Sequence, residues 1–186
     1  MAVTTHAPGR LIAVDASRSR DVAAEAEAIL RRLRARGVPC GISRWDASGL
    51  FGDLLMADPD ELIVAPRTLT LLYAADLMFR LKWEIRPALA AGQVVIAAPY
   101  VETAVAFGRA AGIPAGWLAN LFRFAPRATE HYFVHRAAKP GKNGVEGFVR
   151  FGCERMRGKP GGRTPRQILS GTAAELRRMA GRGSKR

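Results

Sequence analysis

Cysteine is nearly missing from this chain. Cys40 and Cys153 are the only two in 186 residues, too few for a disulfide framework or a cysteine zinc site, and both are expected to be buried free thiols. Histidine is scarce as well. His131 and His135 alternate with Phe133 along one predicted strand, and no second ligand cluster accompanies them, so no metal site is predicted. No stretch approaches the ~18–20 apolar residues of a membrane span. Residues 1–8 lack the basic start and apolar centre of a secretory leader. The expectation is a cytoplasmic chain without a membrane partner. Glycine is ample, 19 residues, yet none lies in the turn Ala16-Ser17-Arg18-Ser19-Arg20-Asp21.

Acidic residues are also short in one place. Residues 1–135 carry 15 Lys and Arg against 13 Asp and Glu, whereas residues 136–186 carry 14 against 3. The formal charge of +13 therefore belongs almost wholly to the last quarter of the chain, which locates an electrostatic partner there.

Between those absences lies an alternation of strand and helix patterns. Residues 11–15 read as a buried strand and 22–36 as a helix, with Gly37 placed to end it. Residues 39–44 form a second short strand, and 46–56 a loop with a helical piece. A long helix covers 67–91, where Leu71, Ala75, Met78, Lys82, Ile85 and Leu89 recur at three- and four-residue steps and Pro87 introduces a kink. Residues 93–98 are a continuous apolar strand, followed by helical segments at 101–111 and 114–122 and a strand at 131–136. Trp83 on the long helix reads as core or interface. Strands separated by helices predict an α/β fold, a parallel sheet with helices on both faces. At 186 residues the chain can bury a real core. Two parts are expected: an α/β core over 1–136 and a basic helical and linker extension over 137–186, with helices at 145–157 and 167–180 around a breaker-rich linker.

The order of elements and several short motifs resemble the thymidylate kinase family of nucleoside monophosphate kinases, roughly over residues 9–134. The best stretch is Leu71-Leu72-Tyr73-Ala74-Ala75-Asp76, then Ile85-Arg86-Pro87-Ala88-Leu89, then Val94-Val95-Ile96. The resemblance implies a P-loop-kinase-like three-layer fold and a homodimer formed through the long helix. The departures fall where that family does its chemistry. A phosphate-gripping turn needs close backbone approach through glycine, then Lys and Ser or Thr. Here Val22 and Ala23 stand at the last two positions, Arg18 replaces a carboxylate, the Asp-Arg-Tyr motif is Ala98-Pro99-Tyr100, and Leu77 replaces an arginine. Losing a single electrostatic donor commonly costs about 10²–10³-fold in rate, and several are absent together. The expectation is a degenerate member with no catalytic residue and no resident cofactor.

Two sets of candidate binding residues remain. Arg18, Ser19 and Arg20 open a helix and can hold a phosphate; the other reading is a solvated turn in which Asp21 caps the helix. By resemblance, Arg44, Tyr73, Asp76 and Tyr100 line the monophosphate pocket, with Tyr73 where a base-stacking phenylalanine stands; the other reading is residues packed in a closed cleft. The second set is the basic segment: Arg155, Arg157, Lys159, Arg163, Arg166, Arg177, Arg178, Arg182, Lys185 and Arg186. Such a cluster predicts contact with nucleic acid or an acidic protein, against a merely solubilising role. ATP and Mg²⁺ enter only under the competing expectation, a divergent dTMP-type kinase or nucleotide-binding sensor. A regulatory subunit of an active relative is the third.

Overall fold

The computed structural model describes residues 9–56, 64–134, 147–156 and 163–183. The apolar runs in the sequence become the two central strands. Strand β1 (Arg10–Asp15) is buried from Leu11 onward and β3 (Val94–Ala98) throughout. The shorter strands β2 (Cys40–Arg44) and β4 (Glu130–Phe133) flank them in the order β2-β3-β1-β4, all parallel. Leu11 pairs with Val95 and Ile12 with both Ile96 and Glu130. Edge position explains why β4 is only partly buried.

Side chains alternate across a strand, and here the two faces take different partners. Ile12, Val14, Val94, Ile96 and Ala98 meet Val22, Ala26, Ile29, Leu30 and Leu33 of α1 (Ser19–Arg34). Gly37, at φ +70°, ends that helix as its position predicts, its N–H reaching the Arg34 carbonyl. The opposite face carries Leu11, Ala13, Val95 and Ala97 against the larger core. That core is built by α2 (Leu50–Met56), α3 (Pro66–Arg80), α5 (Val101–Ala110), α6 (Ala115–Leu121), α7 (Phe148–Arg155) and α8 (Pro165–Gly183). The described part of the basic segment is therefore interior in places: α7 contributes Phe148 and Phe151, and α8 contributes Ile168. Among the described residues no helix is long and apolar enough to cross a membrane.

The long helix differs from its expected form in two ways. It is broken into α3, a π-helical turn at Leu81–Ile85 and α4 (Arg86–Ala90). The widened turn falls one turn ahead of Pro87, whose ring would crowd the carbonyl four residues earlier in a regular helix. Within α3 the buried face is also not the one that spacing picked out, although Ile85, further along the same stripe, is fully buried. Leu69, Thr70, Tyr73, Ala74, Asp76, Leu77 and Arg80 are buried, while Leu71 is 48% and Met78 56% exposed. This helix is apolar around most of its circumference, so periodicity could not choose a side. Trp83, at 62% exposure, is not a core residue.

Candidate nucleotide-fold site

Parallel sheets place ligands at the carboxyl ends of their strands, and β1 ends there in Asp15. Its carboxylate is fully buried and engaged on both oxygens. Oδ1 accepts the Tyr100 N–H (3.0 Å), the Thr103 N–H (2.9 Å) and the Thr103 hydroxyl (2.6 Å). Oδ2 lies 2.8 Å from His131 Nε2. Asp15 thus ties β1 to the start of α5 and to β4. His131 is stacked on Phe133, centroids 4.1 Å apart, and its free choice of partners is spent on Asp15. His135 lies outside the described residues. Among the described residues no three His, Cys, Asp or Glu side chains cluster as metal ligands. Burial first, and Asp15 second, push the nearby Glu102 carboxyl above its usual range, with His131 pulling the other way.

The turn after β1 leads into α1 with Arg18 at the N-cap position. The N–H groups of Asp21 and Val22 both reach the Arg18 carbonyl, at 3.1 and 3.2 Å. Asp21 is therefore inside the first turn and is not the cap, correcting that part of the sequence reading. Its carboxylate lies 3.9 Å from Arg20 Nε. Val22 is turned into the core beneath the helix. Gly147, just ahead of α7, presses on Ser19: a Cβ at Gly147 would stand 2.4 Å from Ser19 Cβ. Only glycine permits that approach.

The turn lacks the residues that commonly hold a triphosphate with Mg²⁺. Glycine N–H groups, a lysine and a hydroxyl are needed to hold it. The turn offers arginine and serine side chains, a core valine and Ala23; the Asp21 carboxylate lies near Arg20, and that of Asp15, at the end of β1, is engaged in four contacts.

The other candidates divide into two places. Arg18, Ser19, Arg20 and Arg44 line one cavity of about 530 Å³, together with Arg166 from α8. Arg44 is exposed and pairs with Glu27 of α1. Tyr73, Asp76 and Tyr100 lie instead in the packed core. Tyr73 donates its hydroxyl to the Tyr100 carbonyl, and Tyr100 donates to the Pro126 carbonyl at 2.7 Å. Burial raises both phenols well above their ordinary pKa, so both remain donors at neutral pH. The ring of Phe148 lies 4.5 Å from that of Tyr73, tilted by 57°, and Tyr73 is fully buried, so its ring offers no open face for a base to stack on. Asp76 accepts the Ser48 N–H (3.0 Å), the Ser48 hydroxyl (2.9 Å) and the Asp46 N–H (3.3 Å). Those bonds order the β2–α2 loop. Arg80, also fully buried, approaches Asp76 at 4.0 Å and donates to the Ser43 hydroxyl and carbonyl.

The basic segment is divided as well. Arg163, Arg166, Arg177 and Arg178 are exposed. Arg163 donates to the Ala110 carbonyl at the end of α5. Arg155, expected among the surface cations, is only 4% exposed, with its guanidinium over the Phe151 ring. Arg157, Lys159, Lys185 and Arg186, and the side chain of Arg182, lie outside the described residues. Cys153 is buried as expected, whereas Cys40 is only half-buried. Burial, then Glu154, push the Cys153 thiol up to about 11, so it stays protonated and inert as a nucleophile at neutral pH.

Sequence reasoning missed the structural weight of Asp15 and the interior role of Phe148. The Asp at the end of an apolar strand was the available signal for the first.

The architecture is α/β, a four-stranded all-parallel sheet flanked by helices, of the P-loop-kinase-like kind. Over 120 residues the chain is 30% identical to a protein of Pyrobaculum calidifontis named probable thymidylate kinase, a match covering 61% of this chain and 56% of that relative. The chain thus spans about half the length of the curated relative it matches. No family model matches it.

Proposed function

We propose that this nucleotide-kinase-like fold does not transfer phosphoryl groups and acts as a binding module, contacting nucleic acid through its basic C-terminal segment. The observation that carries the reading is the exposed surface of α8. Arg166, Arg177 and Arg178 are exposed there, and Arg163 is exposed just ahead of it. The one acidic side chain of that helix, Glu175, is taken up by Arg109 and Arg178. The state of the β1–α1 turn supports the loss of transfer chemistry.

Gel shifts with duplex and single-stranded DNA and with RNA, run at rising salt, test the binding. Six engaged cations give a log–log salt slope of about −5 on duplex DNA. The double substitution Arg177→Glu/Arg178→Glu is expected to make that slope shallower by about two. No shift of any nucleic acid at low salt overturns this reading; binding to an acidic polypeptide in its place would name an acidic protein surface as the partner.

One observation favours a second reading, a nucleotide-binding sensor or divergent dTMP-type kinase: Arg18, Arg20 and Arg44 share a cavity. We also propose a homodimer. Leu71, Met78, Phe79 and Trp83 are exposed at 48%, 56%, 39% and 62% along one helical stretch. Apolar side chains of that size gain up to about 1.5–3 kcal/mol each on burial, which a second copy would supply. Pairing with an active relative through the same face would make the chain a regulatory subunit.

A further inference from the structure

The basic segment after β4 is charged without being aromatic. Phe148 and Phe151 are the only Phe, Tyr or Trp residues from 134 to 186, and both are buried in the core, at 2% and 0% exposure. Single strands are held by stacking their bases on exposed aromatic rings beside a basic groove, and α8 has no ring to offer. Its one amide side chain is Gln167. That oxygen accepts the Thr164 N–H at 2.7 Å and the Thr164 hydroxyl at 3.1 Å, while the Gln167 N–H returns to the Thr164 hydroxyl at 3.3 Å. The reciprocal pair starts the helix, so the amide oxygen is spent there.

What remains on the outer face is arginine. Arg163, just ahead of the helix, donates to the Ala110 carbonyl, and Arg178 shares Glu175 with Arg109. Arg166 and Arg177 are exposed and have no ion pair or hydrogen bond among the described residues. They stand eleven residues apart on one continuous helix. That is about three turns and about 16 Å of rise, so both lie on the same side. Ser170 and Ala174, between them on that side, are small and exposed, whereas Ile168, Thr172 and Leu176 opposite are buried. The spacing brackets a groove about 12 Å wide, that of the B-DNA major groove. The major groove of A-form RNA is deep and narrow, and two cations at this spacing overshoot its edges. Neither guanidinium is fixed by a neighbour, as precise reading of a base edge requires; a phosphate asks only for charge.

We propose that α8 lies across the major groove of duplex DNA, with Arg166 on a phosphate of one strand and Arg177 on a phosphate of the other, whatever the base sequence. The inference rests on the nucleic-acid reading above and names its partner. Charge complementarity supplies the attraction, and counterions released from both strands supply its salt dependence. The small side chains between the two arginines let the helix approach the mouth of the groove. Burial of Ile168, Thr172 and Leu176 holds the helix in place behind them.

Fluorescence anisotropy with the full chain at rising salt tests it. The probes are a labelled DNA duplex of about two helical turns, one of its single strands, the RNA duplex of the same sequence and a DNA duplex of scrambled sequence. The DNA duplex is expected to bind several-fold more tightly than the single strand and the RNA duplex, and the two DNA sequences to bind alike. Arg166→Gln and Arg177→Gln are each expected to make the log–log salt slope on duplex DNA shallower by about one, and the double variant by about two, with the melting temperature unmoved. Arg34→Gln, exposed at the far end of α1 on the other face of the sheet, is expected to leave the slope unchanged. Equal or tighter binding of the single strand or of the RNA duplex overturns this inference. So do discrimination between the two DNA sequences, a slope that either α8 substitution leaves unmoved, and an equal change from Arg34→Gln. The nucleic-acid reading survives each of those results. Absence of binding by every probe at low salt overturns both.

Discussion

Replacing Phe148 by alanine is expected to lower the unfolding free energy by about 3–5 kcal/mol. The ring is 2% exposed and lies 4.5 Å from Tyr73, 5.0 Å from Phe107 and 6.1 Å from Phe51. Its removal leaves a void bounded by aromatic rings, which collapse poorly because rigid planes cannot follow a missing neighbour. For a chain of this length the loss corresponds to a fall in melting temperature of roughly 10 °C, and urea unfolding gives the free energy directly. Leu169→Ala serves as the contrast. Leu169 lines the cavity and is 39% exposed, so its truncation is expected to cost less than about 1 kcal/mol. A small effect at Phe148 would mean that α7 does not belong to the core.

Asp76→Ala is expected to cost a comparable amount, about 3–5 kcal/mol, because it strands a buried guanidinium. Asp76 and Arg80 are both 0% exposed. The carboxylate accepts three bonds from Ser48 and Asp46, and it is the counter-charge at 4.0 Å from Arg80 Nη1, an atom with no hydrogen-bond partner among the described residues. Arg80→Met removes the charge that Asp76 offsets. The double variant Asp76→Ala/Arg80→Met is therefore expected to lose less than the sum of the two single losses. Urea unfolding of the four proteins closes the cycle. Strict additivity would show that the two groups do not act as a pair.

Much of the sheet could be read from the chain. Residues 11–14 and 94–98 are apolar runs of strand length, and only a central parallel strand, covered on both faces, needs so many. Gly37 ended α1 where a left-handed residue was required. The missing glycines, lysine and hydroxyl of the first turn were equally plain, because their absence is local. What escaped the sequence depends on contacts between distant residues. The apolar stripe through Leu71 and Met78 faces outward, and nothing within an all-round apolar helix says which side the sheet takes. Phe148 and Phe151 were hidden in a segment whose net charge dominated its reading, though Arg155 itself is buried over Phe151. Asp15 and Asp76 are interior because partners 88 and 28 residues away along the chain, Thr103 and Ser48, satisfy them. No local pattern encodes that.

The covering of Tyr73 by Phe148 and of Ser19 by Gly147 has one shared consequence. Both contacts come from residues at the start of α7. A change in α7 therefore alters the core's stability and the cavity together.

The central claim is that the turn between β1 and α1 does not hold a triphosphate with its metal. Calorimetric titration of the full chain with ATP and Mg²⁺, paired with a coupled assay for phosphoryl transfer to dTMP, tests it most directly. The account predicts no saturable binding up to about 1 mM, the upper end of ordinary enzyme affinities, and no turnover above the uncatalysed rate. Saturable binding with turnover that disappears in Arg18→Ala or Arg20→Ala would contradict it.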